Sequence, residues 1–328
     1  MAGKRGTKYE NLVPTAMGMN LRSIGTMLRD QFKRDPRRQP ARPIPVVPLS
    51  LPARPRPEGI RAAWFGHSAF VLELEGRRLL FDPMFSPSPS PVPIFGGRRY
   101  SGALPLEPED FPRLDAIVLS HNHFDHLDKA SIRKLRDKTN RFVVPLGVRG
   151  LLVKWGVPPE QVTEHGWWEE LEVAGLRLAC TPARHFSGRG LFDRNGSLWC
   201  SWVVIGARGR FFFSGDSGYA PHFKAIGERY GPFDLTLMEC GQYDERWANI
   251  HMLPEQTVQA HLDVRGGLLV PVHWAAFTLG FHAWDDPAER VLAAARAHGV
   301  RIATPRIGEI VEAAEGGYPQ TPWWREWR

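Results

Sequence analysis

Three imidazoles and one carboxylate lie within six residues, in the segment His121-Asn-His123-Phe-Asp125-His126. This segment directly follows an apolar, strand-like run at residues 114–120. Side chains two positions apart at a strand end point the same way, so His121 and His123 can bind one cation through ring nitrogens. The turn that follows can direct Asp125 and His126 toward a second cation. The spacing therefore predicts a metal site rather than isolated surface or core histidines.

Six residues cannot complete two metal sites, so further ligands must come from elsewhere in the chain. His185, Asp216 and His273 each follow an apolar run that is typical of a β-strand. Ligands delivered by several strand ends indicate an active site at the edge of a sheet, built on a rigid scaffold.

The strands that position these residues form two series, separated by segments with helical periodicity. We expect the first strand series at residues 62–64, 69–74, 78–81 and 116–120, and the second at residues 171–179, 198–205, 210–214, 235–238 and 268–272. We expect helices at residues 129–138, 147–155, 223–230, 254–264 and 287–298.

With these motifs, the chain resembles the metallo-β-lactamase-fold hydrolases, whose pattern is HxHxDH, then a lone His, a bridging Asp and a final His. Within that superfamily it is most similar to the N-acyl-phosphatidylethanolamine phospholipase D group and its bacterial relatives. The closer match rests on residues 81–83, 120–128, 166–170, 197–202, 211–219, 231–234 and 273–277. The resemblance implies an α/β (α+β) fold, the αββα sandwich of two mixed β-sheets flanked by helices, with metals at its edge.

The resemblance also implies two zinc ions and a metal-bridging hydroxide. One ion is held by His121, His123 and His185, the other by Asp125, His126 and His273, and Asp216 lies between them. Two cations lower the pKa of bound water and neutralise charge on the attacked phosphoryl or carbonyl oxygen. We therefore count Asp125 and Asp216 among the catalytic residues. The nitrogen and oxygen donors also suit Mn²⁺ or Fe²⁺.

Four other residues are candidates for the site. Asp82 matches a family aspartate and is expected to orient a ligand imidazole, or else to form a turn. His251 is a catalytic candidate that can donate a proton to the leaving group or hold the phosphate, or else flank a helix. His67 matches a family Gly-His pair and also fits a buried core histidine. Arg189 can contact a substrate phosphate, or be a solvated side chain.

The first sixty residues differ from the rest of the 328-residue chain. They contain nine prolines and twelve Lys or Arg against four Asp or Glu, a net charge of +8, whereas the other 268 residues carry −1. We expect a basic, Pro-rich arm at residues 1–60 and the catalytic domain at residues 61–328. The arm is expected to wrap the domain or to stay mobile. Residues 15–32 either belong to a solvated, charge-rich tail or form an amphipathic helix that contacts an anionic membrane, and nucleic acid is a third partner that no aromatic base-stacking pattern supports.

The apolar runs and the cysteine content indicate where in the cell the protein is located. No apolar run approaches the twenty residues of a membrane span, and three cysteines without a CxxC pair are typical of reduced, buried thiols. We expect a cytoplasmic enzyme with peripheral contact at the inner membrane face. The sequence predicts no oligomeric state.

Three functions remain open. The first is a phosphodiesterase of phospholipase D type acting on N-acyl-phosphatidylethanolamine or a related phospholipid, which aromatic residues such as Trp247, Trp274 and Phe277 favour if they border the site. The second is a lactone or acyl hydrolase, because the same metals can attack a carbonyl. The third is a nucleic-acid phosphodiesterase. It is disfavoured, because superfamily nucleases that cut internal sites usually carry an extra domain between the bridging Asp and the last His, and only 57 residues separate Asp216 from His273 here.

Overall fold

The computed structural model describes residues 3–5, 8–16, 21–33, 35–90, 97–190, 192–313 and 317–328. The strands in chain order are β1 (Gly3–Arg5), β2 (Lys8–Glu10), β3 (Ile60–Trp64), β4 (Phe70–Leu74), β5 (Arg77–Phe81), β6 (Leu114–Val118), β7 (Thr139–Pro145), β8 (Val162–His165), β9 (Glu170–Val173), β10 (Leu176–Thr181), β11 (Ser201–Ile205), β12 (Arg210–Phe213), β13 (Phe233–Glu239), β14 (Gly266–Val272), β15 (Arg301–Ile302) and β16 (Ile310–Glu312). The helices are α1 (Leu21–Phe32), α2 (Lys129–Leu135), α3 (Arg149–Lys154), α4 (His222–Tyr230), α5 (Pro254–Asp263) and α6 (Asp286–Ala297).

Two seven-stranded sheets form the body of the protein. The first has the order β16-β3-β4-β5-β6-β7-β8 and the second β15-β14-β13-β12-β11-β10-β9, while β1 pairs only with β2. Both sheets are mixed: β5 to β8 and β12 to β15 run parallel, and the remaining pairs are antiparallel. This arrangement confirms the predicted sandwich of two mixed sheets with helices outside.

Strand residues alternate between two apolar layers, as the two-residue period of a strand requires. On β4, Phe70 and Leu72 point into the layer between the sheets, whereas Val71 belongs to the outer layer. The inner layer is rich in phenylalanine: Phe70 stacks on Phe81 with ring centroids 4.6 Å apart and lies 5.0 Å from Phe213 of the other sheet. Burial on both faces explains the nearly continuous apolar runs seen in the sequence.

Helices cover the outer faces. α2 begins after Asp128, whose side chain accepts hydrogen bonds from the backbone N–H groups of Ala130 and Ser131 and so caps the helix. Ile132 of α2 and Leu152 of α3 pack in the outer layer of the first sheet. Residues of α4, α5 and α6 join the core of the second sheet. No helix in the described part of the chain has the length and apolar character needed to cross a membrane.

The observed elements differ from the predicted ones at several points. The predicted strand at residues 171–179 is two strands, β9 and β10, because Ala174 and Gly175 form a tight turn with φ of 53° and 85°. The predicted helix within residues 15–32 begins at Leu21, and residues 17–20 lie outside the described part of the chain. Cys180, Cys200 and Cys240 are free and buried, as their spacing predicts.

The described parts of the N-terminal arm lie against the rest of the protein. Val47 donates a backbone hydrogen bond to Ile307 and Leu49 donates one to Pro105, each at 2.8 Å. Ile44 is only 2% exposed and packs in the inner core. The arm therefore wraps the domain over these residues, and the division of the chain at residue 60 stays a prediction.

Candidate metal centre

Residues from both sheets meet at one edge of the sandwich. The first sheet supplies His67 after β3, Asp82 after β5 and the segment His121 to His126 after β6. The second sheet supplies His185 after β10, Asp216 after β12 and His273 after β14. The site is therefore assembled from strand ends that are far apart in the sequence.

Reciprocal main-chain hydrogen bonds join the two sheets at this edge. The His67 N–H donates to the Trp274 carbonyl at 3.0 Å, and the His273 N–H donates to the His67 carbonyl at 2.8 Å. Both histidines have left-handed backbones, with φ of 56° and 66°, a conformation that costs a non-glycine residue about 1 to 2 kcal/mol. Backbone strain of this kind is concentrated at functional sites.

His121, His123 and His185 form what we call the imidazole cluster. His123 Nδ1 lies 2.8 Å from His121 Nε2 and 3.2 Å from His185 Nε2. The Nδ1 of His185 faces the Ile250 carbonyl at 2.9 Å, and donation to that oxygen leaves Nε2 free to act as a ligand. Burial lowers the pKa of His123 to about 4 and holds the pKa of His121 and His185 well below their usual value. All three rings are thus neutral at pH 7, the form that binds metal.

Asp125, His126 and His273 form the carboxylate cluster, and Asp216 contacts two of its rings. His126 Nε2 lies 3.0 Å from Asp216 Oδ2 and 3.5 Å from Asp125 Oδ2, and His273 Nδ1 lies 3.2 Å from Asp216 Oδ1. Burial alone lowers the pKa of His126, but the charges of Asp216 and Asp125 outweigh it and raise that pKa well above its usual value. Asp216 Oδ2 is also 3.8 Å from the Nε2 atoms of His121 and His185, so Asp216 lies between the two clusters.

Asp82 supports the carboxylate cluster from behind. This fully buried carboxylate accepts hydrogen bonds from the Ser120 N–H at 2.8 Å and the Ser120 hydroxyl at 2.5 Å. It also lies 2.7 Å from His126 Nδ1. Because Nδ1 donates to Asp82, Nε2 of His126 faces the cluster, which is the geometry expected of a carboxylate that orients a ligand imidazole.

His67 and Arg189 both contact the HxHxDH segment. His67 is fully buried, with its Nε2 2.8 Å from Asp125 Oδ2. Arg189 Nη1 donates to the carbonyls of Asn122 and Leu127, each at 2.8 Å, and its guanidinium lies 3.7 Å from the centre of the Phe124 ring. Arg189 therefore braces this segment, and its predicted contact with a substrate phosphate stays a prediction.

His251 lies beside both clusters and is held by a glutamate that sequence reasoning missed. Its Nδ1 is 2.7 Å from Oε2 of Glu239, and the other oxygen of Glu239 accepts from the Ser217 and Met252 N–H groups at 3.0 and 2.9 Å. Burial raises the pKa of Glu239 to about 7, although His251 opposes that shift. Burial lowers the pKa of His251, but Glu239 overcomes this and raises it. The sequence does contain a signal for Glu239, which is the acidic residue at the end of the apolar run Leu-Thr-Leu-Met-Glu. A carboxylate buried at a strand end needs a partner.

The donor atoms fit a bound metal. The nitrogens of His121, His123 and His185 lie within 4.8 Å of one another, and so do the donor atoms of His67, Asp125, His126 and His273. Among the described residues, His126 Nε2 and Asp216 Oδ1 are buried and face ion-pair partners at 3.0 and 3.2 Å, but neither atom makes a hydrogen bond of good geometry, which is costly unless something else satisfies them. Imidazole nitrogens and carboxylate oxygens suit zinc and related divalent ions.

The aromatic residues expected to border the site are mostly core. Trp274 and Phe277 are each 1% exposed, so neither presents a surface to a substrate. Both lie next to the site, since Trp274 follows His273 and the Phe277 ring is 5.5 Å from that of His67. Trp247 is half-buried and packs 5.9 Å from the ring of Phe281. Burial in the sandwich, rather than substrate contact, accounts for most of this aromatic content.

Known proteins resemble the chain at both sequence and fold level. Residues 77–274 match the family model described as "Beta-lactamase superfamily domain". An uncharacterized protein of Mycobacterium tuberculosis is 44% identical over 88% of this chain and 78% of its own length. The N-acyl-phosphatidylethanolamine-hydrolyzing phospholipase D 1 of Caenorhabditis elegans is 34% identical over 78% of this chain and 77% of its own length. Among solved structures, an isothiocyanate hydrolase from Delia radicum gut bacteria aligns with a TM-score of 0.62 and 21% identity, covering 76% of this chain and 98% of that one.

Proposed function

Because this chain belongs to the beta-lactamase superfamily of metal-dependent hydrolases, we propose that it is a dinuclear zinc phosphodiesterase of phospholipase D type. Its substrate in this proposal is N-acyl-phosphatidylethanolamine or a related phospholipid. The position of Asp216, within 3.0 to 3.8 Å of imidazole nitrogens in both clusters, carries the two-metal part of the proposal. The name of the C. elegans relative supports the substrate class.

In this proposal the imidazole cluster holds one ion, Asp125, His126 and His273 hold the other, and Asp216 contacts both. Bound divalent ions supply a low-pKa water at neutral pH and neutralise charge on the phosphoryl group. Mn²⁺ or Fe²⁺ would be compatible with the same donors. Asp82 and His67 fix the orientations of His126 and Asp125 through their hydrogen bonds.

Two other residues, His251 and Arg189, act on the substrate in this proposal. With Nδ1 engaged by Glu239, the Nε2 of His251 is the ring nitrogen left to donate a proton to the departing head-group alcohol. Glu239 holds that ring in place. Arg189 contacts the substrate phosphate through the guanidinium donors that the Asn122 and Leu127 carbonyls do not use.

We also propose that the arm brings the enzyme to anionic lipid at the cytoplasmic membrane face. Phe32 at the end of α1 is 82% exposed, and the neighbouring Arg29 and Lys33 have exposed side chains. An exposed aromatic ring with basic neighbours suits the boundary of an anionic bilayer. Binding of the full-length protein to phosphatidylserine vesicles, compared with a Phe32→Ser variant, tests this contact, and equal binding would contradict it.

Product analysis by mass spectrometry tests the catalytic proposal. Zinc-loaded protein is incubated with N-acyl-phosphatidylethanolamine vesicles beside an Asp216→Asn variant. Release of N-acylethanolamine and phosphatidic acid by the wild type alone is the expected result. A metal-replete wild type that leaves this lipid intact would contradict the substrate, and parallel assays with a soluble phosphodiester and a lactone would then distinguish the two kinds of electrophile.

A further inference from the structure

Residues 8–16 of the N-terminal arm, which we call the strap, cross the surface next to the imidazole cluster. Their burial alternates along the chain, as in any extended segment that lies on a surface. The inward positions are Tyr9, Asn11, Val13 and Thr15, and the exposed positions are Lys8, Glu10, Leu12, Pro14 and Ala16. The strap is anchored at its start, where the Tyr9 N–H donates to the Asn195 carbonyl at 2.9 Å.

The side chain of Asn11 binds the main chain of a proposed metal ligand. Its Nδ2 donates to the His185 carbonyl at 2.8 Å, and its Oδ1 accepts from the His185 N–H at 3.1 Å. The same oxygen accepts from Nε1 of the fully buried Trp199 at 3.0 Å. His185 lies beyond the end of β10, so its backbone has no strand partner. Asn11 thus satisfies the buried polar groups that a strand ladder would otherwise pair.

Other strap residues hold the surroundings of His185. Arg184 donates through Nε to the Thr15 hydroxyl at 3.1 Å and through Nη2 to the Pro14 carbonyl at 2.9 Å. Asn249 donates to the Ala16 carbonyl at 2.8 Å. Asn249 precedes Ile250, whose carbonyl faces His185 Nδ1. The strap therefore contacts both the backbone of His185 and the loop that fixes its ring.

We propose that the strap is part of the metal centre and that Asn11 is the positioning residue for His185. This inference rests on the proposed dinuclear site. Metal–ligand distances lie within about 0.2 Å of their standard values. Loss of the Asn11 contacts, which lets His185 shift, therefore weakens binding of the ion at the imidazole cluster. In the described residues, Asn11 bonds to no member of the carboxylate cluster, so the second ion keeps its affinity.

Zinc affinity, measured by competition with a chromophoric chelator, tests the inference without any turnover. Asn11→Ala removes all three hydrogen bonds and is expected to weaken one of the two zinc affinities about tenfold, the usual effect of losing a group that orients a ligand. Asn11→Asp keeps the Oδ1 acceptor but places a second carboxylate oxygen where Nδ2 donated to the His185 carbonyl. Because these two oxygens repel, its affinity should fall at least as far as that of Asn11→Ala. Asn140→Ala, the same substitution at an exposed position of β7, is the matched control.

Comparison of the two affinities, beside thermal unfolding of the metal-free proteins, separates positioning from general stability. The inference holds if Asn11→Ala loses affinity at one site and not at the other, even though the three lost hydrogen bonds lower its metal-free unfolding temperature below that of Asn140→Ala. Unchanged affinity at both sites overturns it, and so does an equal loss at both sites together with a lowered metal-free unfolding temperature. If the wild type itself fails to bind two ions, the proposed function fails first and this inference fails with it.

Discussion

The two clusters of the metal centre are built by different means. The rings of the imidazole cluster are neutral, and His185 is held by main-chain and amide groups, from Ile250 and Asn11. Buried carboxylate–imidazole pairs hold the carboxylate cluster in place. Asp82 pairs with His126, and Asp125 lies beside both His67 and His126. One half of the site therefore depends on chain geometry and the other on ion pairing. Substitutions and pH should affect the halves separately, except at Asp216, which lies between them.

The largest effect is expected at that shared residue. Asp216→Asn removes a charge that faces both clusters, and it should lower kcat/KM by about two orders of magnitude or more while leaving the fold intact. Steady-state assays on the lipid, with circular dichroism as the check on folding, measure this. Full turnover by the variant would rule out the two-metal mechanism.

At Asp82 we expect a smaller effect, confined to metal binding at the carboxylate cluster. Asp82→Asn weakens the acceptor that orients His126, and the ion at the carboxylate cluster should bind about 10- to 100-fold more weakly. The imidazole cluster should keep its affinity. Zinc competition assays measure both, and Asp137→Asn, at an aspartate whose side chain is 84% exposed, is the matched control. Equal weakening of both ions would show that the halves are not independent.

The response to pH should also separate the halves. His126 carries a proton at pH 7 in the metal-free protein because its pKa is raised, so an ion must displace that proton, and its affinity should fall about tenfold per unit of decreasing pH. The imidazole cluster is already neutral, with the pKa of His123 near 4, so its affinity should change little between pH 7 and 5. Titration calorimetry in two buffers of different ionisation enthalpy counts the released protons. One proton released at each site would contradict the comparison.

The smallest effect is expected at Arg189. Arg189→Lys loses two bonds to main-chain carbonyls and the stacking on Phe124, which should lower the free energy of unfolding by about 1 kcal/mol. Zinc affinity should remain within about threefold of wild type, below the effect of removing a group that orients a ligand. A rise in KM without a change in kcat would support its proposed contact with the phosphate. Thermal unfolding and steady-state kinetics measure the two effects separately.

Where candidate ligands directly follow apolar strands, the sequence indicates which residues meet at the candidate metal centre. The spacing of His121, His123 and His126 indicates a metal site. Asp216 and His273 can be recognised because each directly follows an apolar, strand-like run. Asn11 carries no such signal, because it meets His185 across 174 positions and only the folded strap brings the two together. Glu239 was detectable in principle, since a carboxylate ending an apolar strand needs a buried partner.

The fold was predictable to a similar degree and for similar reasons. The inner strands, such as β4, are apolar on both faces and stand out in the sequence. The strands β7 and β8 were not predicted. β7 begins with the polar residues Thr139, Asn140 and Arg141, and β8 is only four residues long. The resemblance to a known family supplied the order of the layers, which periodicity alone does not give.

The main-chain hydrogen bonds from His67 to Trp274 and from His273 to His67 also have a consequence for synthesis on the ribosome. The chain is made from its N-terminus, and domains fold as their residues emerge. A nascent chain that ends before β10 carries the HxHxDH segment but lacks His185, Asp216 and His273, and its first sheet has no partner at the edge. In the proposed dinuclear site, stable binding of both ions would therefore wait until His273 has been synthesised. Nascent chains that stop before His273 would therefore lack a complete site.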